Sequence, residues 1–182
     1  DANGSTIFNN GPIQAPPLLF SFITSTDQAF YYFNSVTING SLVAPDDWVG
    51  AFNGDICVGA RQWDTSICGG GICDVPVMGD DGTEWTEGYM QSGDFPTFKI
   101  YDSSENICYD ALPSEDMPFE NFGTFFIDSL AGGILGCTDE NACNFDPEAV
   151  IDDGACILPE ENYDCEGNCI AGEDCAGVCG GS

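Results

Sequence analysis

Histidine is absent from the sequence and basic residues nearly so: Arg61 and Lys99 stand alone against 31 aspartates and glutamates, for a formal net charge of −29. Without histidine, the Ser-His and Cys-His nucleophile arrangements cannot be built, and no enzyme is expected. Without clustered Lys and Arg there is nothing to neutralise phosphates and release their counterions, which argues against nucleic acid as a partner. An anionic membrane surface would repel the chain. No apolar run approaches the ~18 residues of a membrane span, so membrane insertion is not expected. The opening "DANGST" has no basic-then-apolar leader and fits a mature form whose signal has been removed, while the close at "CGGS" suits a longer protein.

What is present argues for a folded protein. Hydrophobic residues make up 43% and aromatics 12% of the chain, ample for a packed core. Like charges at this density oppose compaction unless something cationic intervenes, and Ca2+ is the expected cofactor. Eleven cysteines, crowded into Gly/Asp-rich loops, point to disulfides made in an oxidising compartment, hence to a secreted, extracellular or cell-surface protein. An odd number leaves one cysteine free, paired with another subunit, or without its partner.

Three segments follow from the punctuation. Residues 1–17, "DANGSTIFNNGPIQAPP", read as an extended arm, because Gly, Asn and three prolines deny it helix or central strand; it frays or lies on the body or on a neighbouring copy, adding a strand there. Residues 18–133 read as an all-β domain. "LLFSFITS" and "AFYYFNSVTI" are strand-like runs, Asn39-Gly40 and Asn53-Gly54 are hairpin turns, and further strands are expected at "DVPVM", "TFKIYD", "NICYDAL" and "GTFFIDSL", with "DSSEN" turning the "TFKIYD" pair. About eight short strands with no convincing 3.6-residue period predict a β-sandwich, from which a jelly roll is hard to separate. Residues 134–182 read as an irregular Cys/Asp-rich tail. From Cys137 onward it holds 12 of the 31 acids, 7 of the 11 cysteines and no Lys or Arg, so crosslinks or metals must replace a core.

Within "GCTDENACNFDPEAVIDDGAC", Asp139, Asn141, Asn144, Asp146, Glu148, Asp152 and Asp153 place oxygens at short intervals, and Ca2+ takes six to eight oxygen ligands at flexible geometry. The stretch is not an EF-hand, because that loop's spacing cannot be laid on it. Asp80 and Asp81, with Glu84 and Glu87, form a second acidic cluster that is either another Ca2+ site or a solvated turn. Every cysteine is a disulfide candidate. Cys68 and Cys73 can close a small loop, and Cys57 and Cys108 can then pair between strands. The pairing of Cys137, Cys143, Cys156, Cys165, Cys169, Cys175 and Cys179 cannot be read from spacing. Asp-Cys-x-Gly-x-Cys repeats at 164–169 and 174–179; zinc on these C-x3-C pairs is a minor alternative, since thiolate sites favour reducing compartments.

The tail, "GCTDENACNFDPEAVIDDGAC" with "YDCEGNC" and "DCAGVCGGS", resembles the Cys/Asp-rich repeats of large secreted and cell-surface proteins of marine and other environmental bacteria, often found near a type IX secretion sorting domain. Upstream, "DDWVGAFNGDICVGARQWD" with "VMGDDGTEWTEGYMQSGDFPTFKIYD" resembles a β-rich module that accompanies them. The resemblance implies an extracellular structural role, with metal binding by analogy to acidic thrombospondin type 3 repeats. The functional expectation is a secreted structural or adhesive subunit, stabilised by Ca2+ and disulfides, that self-assembles into a filament or surface layer. The alternative is a carbohydrate-binding module, with Trp48, Trp63 and Trp85 or Tyr31, Tyr32, Tyr89 and Tyr101 supplying a platform for a glycan.

Overall fold

A computed structural model describes residues 17–172 and 177–181. The expected arm therefore lies, but for Pro17, outside the described residues. A short 3-10 turn, Leu18–Phe20, leads into strands β1 (Gln28–Ile38), β2 (Ser41–Leu42), β3 (Trp48–Asn53) and β4 (Ile56–Gln62). A second 3-10 turn, Gly69–Gly71, precedes β5 (Cys73–Met78), β6 (Thr97–Asp102), β7 (Ile107–Pro113) and β8 (Thr124–Gly132). Two short strands, β9 (Leu135–Gly136) and β10 (Ile151–Asp152), pair in parallel within the tail.

The protein is all-β. Its eight longer-range strands form one mixed sheet in the order β2-β1-β8-β7-β6-β3-β4, with β5 alongside the first half of β1. Strands β1 and β8 run parallel, and the other neighbours are antiparallel. The hairpin turns sit where their residues require. Asn39 and Gly40 both carry positive φ, 50° and 77°, as a type I′ turn demands, while Asp102 accepts the Ser104 and Glu105 amides to fold the β6–β7 turn.

The sheet curls until its two ends touch, an arrangement compatible with a sandwich. At the seam, Gly59 of β4 approaches β5 so closely that a Cβ there would fall 1.6 Å from the Pro76 carbonyl oxygen. Arg61 closes the same seam: its Nε donates to the Asp74 carbonyl and its Nη2 to Asp74 Oδ2 at 2.8 Å. The other cation, Lys99 of β6, pairs with Asp110 across from it on β7 and lies over the Phe52 ring. Inside the curl, Ala29, Tyr31, Phe33, Val36 and Ile38 of β1 pack against Val49, Val58, Trp63, Phe98, Ile100, Ile127 and Leu130. Phe33 meets Phe98 edge-on at 5.2 Å. The Tyr31 hydroxyl donates to the Met117 carbonyl at 3.2 Å, and burial pushes its pKa up.

One expected strand is not formed. "LLFSFITS" is a 3-10 turn followed by irregular chain, because Pro16 and Pro17 remove two amide donors just before it and because Phe20 is used elsewhere. Phe20 lies fully buried on the outside of the sheet with Trp48, Phe52, Cys57 and Ala60. Gly50 makes room for it, since a Cβ there would meet the Phe20 ring at 2.6 Å. The N-terminal segment thus covers the outer face of β3–β4.

Gly59→Ala tests the seam. The methyl group has no free space on the backbone side, so the expected loss is about 3 kcal/mol, measured by urea unfolding. Gly69→Ala, where nothing lies within 4 Å, is expected to stay near wild type.

Candidate functional site

The tail has almost no interior. Among its described residues only Cys137 and Ala142 are buried apolar side chains. Order in such a segment comes from other sources, and two are visible. The first is sulfur: Cys137–Cys156 spans 19 residues and Cys143–Cys165 spans 22. These two bridges cross, because Cys143 lies within the first loop and Cys165 beyond it. Cys169–Cys179 then closes a loop of separation 10. Loops of about 15 residues or more contribute roughly 3 kcal/mol each by restricting the unfolded chain. A fourth bridge, Cys68–Cys73, closes the Gly69–Gly71 turn in the body.

The second source is the aspartates themselves. Asp139 Oδ1 accepts the backbone N–H and the side-chain amide of Asn141, both at 2.9 Å. Asp146, Asp152 and Asp153 each accept, at 2.9 Å, the N–H of the residue two positions on: Glu148, Gly154 and Ala155. Asp164 accepts the N–H groups of Glu166 and Asn168, and its second oxygen accepts the Asn168 amide at 3.0 Å. All are Asx turns, in which a side-chain oxygen replaces a backbone acceptor. Asn144 works over a longer range, donating to the Ala155 carbonyl at 2.8 Å and accepting the Ile157 N–H at 2.7 Å. Hydrogen bonds from Asn141 and Asn168 hold the Asp139 and Asp164 carboxyls below their ordinary value.

This use of the oxygens bears on the expected Ca2+ ligands. Asp139, Asn141, Asn144, Asp146, Glu148, Asp152 and Asp153 are spread over successive turns. Among the described residues no three His, Cys, Asp or Glu side chains stand together so as to hold a metal. In the body, Asp80 Oδ1 accepts the Gly82 N–H at 2.9 Å. Asp81 accepts the Thr83 and Thr86 hydroxyls at 2.8 and 2.7 Å and reaches Thr26 with its other oxygen, which holds its carboxyl well below the usual range. Zinc on the paired C-x3-C units is not supported, since Cys165, Cys169 and Cys179 are oxidised in bridges to other partners; Cys175 lies outside the described residues.

The expected Cys57–Cys108 bridge is not formed, and both thiols are free. Strand order explains this. Cys57 is on β4 and Cys108 on β7, with β3 and β6 between them, a separation of roughly 14 Å at 4.8 Å per strand, where a disulfide needs Cα atoms within about 7 Å. Cys57 is buried under the Phe20 cluster, and loss of solvation raises the pKa of both thiols.

The aromatic platform is also redistributed. Trp48, Trp63, Tyr31 and Tyr89 are buried, whereas Trp85 is exposed at the acidic loop. Tyr32 of β1, one of the expected platform residues, stands on the outer face of the sheet and stacks on Phe126 of β8, which sequence reading did not single out, ring centroids 4.9 Å apart and planes 19° apart. Next to it Asn34 donates to Asp128 at 3.2 Å. The signal was present in "TFFID", where period-2 alternation sends one of two adjacent phenylalanines outward.

Comparison with protein-family models, with curated proteins and with solved structures finds no match to this chain. Among the described residues no helix is long and apolar enough to cross a membrane.

The Asx turns give the tail a pH dependence. Carboxyls with lowered folded pKa values stabilise fully above the ordinary 3.8, and that contribution is lost as the pH falls through the folded values. Amide exchange by mass spectrometry is expected to show the Asn141 and Asn168 amides losing protection below about pH 4 while the β1–β8 ladder stays protected. Uniform loss in both regions would contradict this.

Proposed function

We propose that the chain is a secreted structural or adhesive subunit that assembles with copies of itself into an extracellular filament or surface layer. The observation that carries this reading is the crossed pair Cys137–Cys156 and Cys143–Cys165 holding a segment without a core. Such bridges persist in an oxidising compartment and make a small unit that resists unfolding. The residue inventory supports it too, since nucleophile pairs that depend on histidine are unavailable. The resemblance of the tail to repeats of bacterial surface proteins points the same way.

Self-association of molecules carrying −29 must overcome mutual repulsion. Calcium enters this proposal as a counter-ion between subunits, drawn to carboxylates whose outer oxygens face solvent. It is not assigned a coordinated site. A carbohydrate-binding module remains the competing reading, but Trp63, one of its proposed ring-stacking residues, is 4% exposed.

Light scattering of the purified chain across a calcium titration, with NaCl controls matched in ionic strength, tests the proposal. Assembly is expected to grow with calcium beyond the NaCl control. Monomers at every calcium concentration would refute it.

A further inference from the structure

The two outer faces of the curled sheet are treated differently. Over β3–β4, Phe20 sits on Gly50 and buries Trp48 and Phe52. Over β1–β8, Phe30, Tyr32 and Phe126 point away from the core, and Phe126 is 66% exposed. The ladder beside them is interrupted between Phe33/Ile127 and Ser35/Ser129. There Asn34 and Asp128 both turn to solvent, joined by their side chains. At the rim, where β1 begins, Phe122 bonds its N–H to the Gln28 carbonyl with φ of 63°. A left-handed backbone costs a bulky residue about 1 kcal/mol, and this phenylalanine is 73% exposed. Gly or Asn would suit that backbone better in an isolated molecule, and a large aromatic there gains nothing until it is covered.

Resting on the assembly reading, we infer that the Phe30–Tyr32–Phe126 face is the docking surface for residues 1–16 of a second copy of this chain. Charge singles out that segment. It carries one of the 31 acids, Asp1, together with Ile7, Phe8 and Ile13, so it can approach the acidic body with little repulsion and has apolar side chains to bury. Its attachment point matters as well. Pro17 adjoins the Phe20 cap on the β3–β4 face, on the outside of the other half of the sheet. Sixteen residues span at most about 50–55 Å, enough to leave that face and reach the next molecule. Phe20 shows the mode of contact within one chain, an aromatic from the N-terminal segment seated on an outer face, and the sequence carries a second such aromatic, Phe8, twelve positions earlier.

The test is sedimentation velocity on the full chain, on Phe126→Ser, on Phe8→Ser and on the double variant, with calcium held constant. The expected result is wild-type assembly, at least about tenfold weakening in each single variant, and a double variant no weaker than the singles, because both remove one contact. The thermal midpoint of Phe126→Ser should match wild type, since the ring is exposed. Wild-type-like assembly by Phe126→Ser overturns the surface while leaving self-assembly standing. Additive losses in the double variant overturn the pairing of Phe8 with Phe126. Normal assembly of Phe126→Ser together with lost binding to a neutral polysaccharide gives the face to a sugar instead. A wild type that stays monomeric removes the assembly reading and this inference with it.

Discussion

Two crossed disulfides set the terms for the last quarter of this protein. Cys137–Cys156 and Cys143–Cys165 fix where a run of turns begins and ends, and the turns between them need no apolar interior. Each turn is completed by an aspartate whose oxygen binds an amide two residues on. The charges that make compaction costly elsewhere are therefore put to structural use here. Crosslinks restrict the unfolded chain and Asx turns satisfy the backbone locally, so burial is dispensable.

The body solves a different problem with few cations. Arg61 fastens β4 to β5 where the curl closes, and Lys99 bridges β6 to β7. Both sit across strands. Among the carboxylates without a cation, Asp47 is buried and accepts the Ala44 and Ser103 amides. The core inside the curl is conventional, aromatic and densely packed. The outer faces are not: one is capped by Phe20, and the other presents a stacked aromatic pair. Among the described residues, one aromatic face is covered by the chain's own Phe20 and the other is not.

Much of the architecture was legible in local sequence, and what was missed depended on long-range geometry. Asn39-Gly40 marks a hairpin because left-handed turns admit few other residues, and both lie at positive φ; the hairpin expected at Asn53-Gly54 is also present, but there Asn53 pairs with Ile56 as the last residue of β3 and only Gly54 is left-handed. "LLFSFITS" has the composition of a strand, yet Phe20 packs on Gly50, a contact between segments that no local pattern encodes. Cys57 and Cys108 lie on strands that seemed able to pair, but strand order sets two strands between them. The tail oxygens were read as cation ligands from their number and spacing. Asp followed two positions on by a backbone amide is also the signature of an Asx turn, and Asp139, Asp146, Asp152 and Asp153 make that turn.

We propose that sulfur and Asx turns suffice to replace a core in residues 134–172 without a coordinated metal. Amide exchange of the full chain in four states, untreated, with chelator, with reductant and with both, tests it directly. The account predicts that chelator alone leaves the Cys143, Asp146 and Ile157 amides protected, and that reductant alone releases them while β1, β6 and β8 stay slow. Loss of protection under chelator with the bridges intact, or persistence after complete reduction, would contradict it.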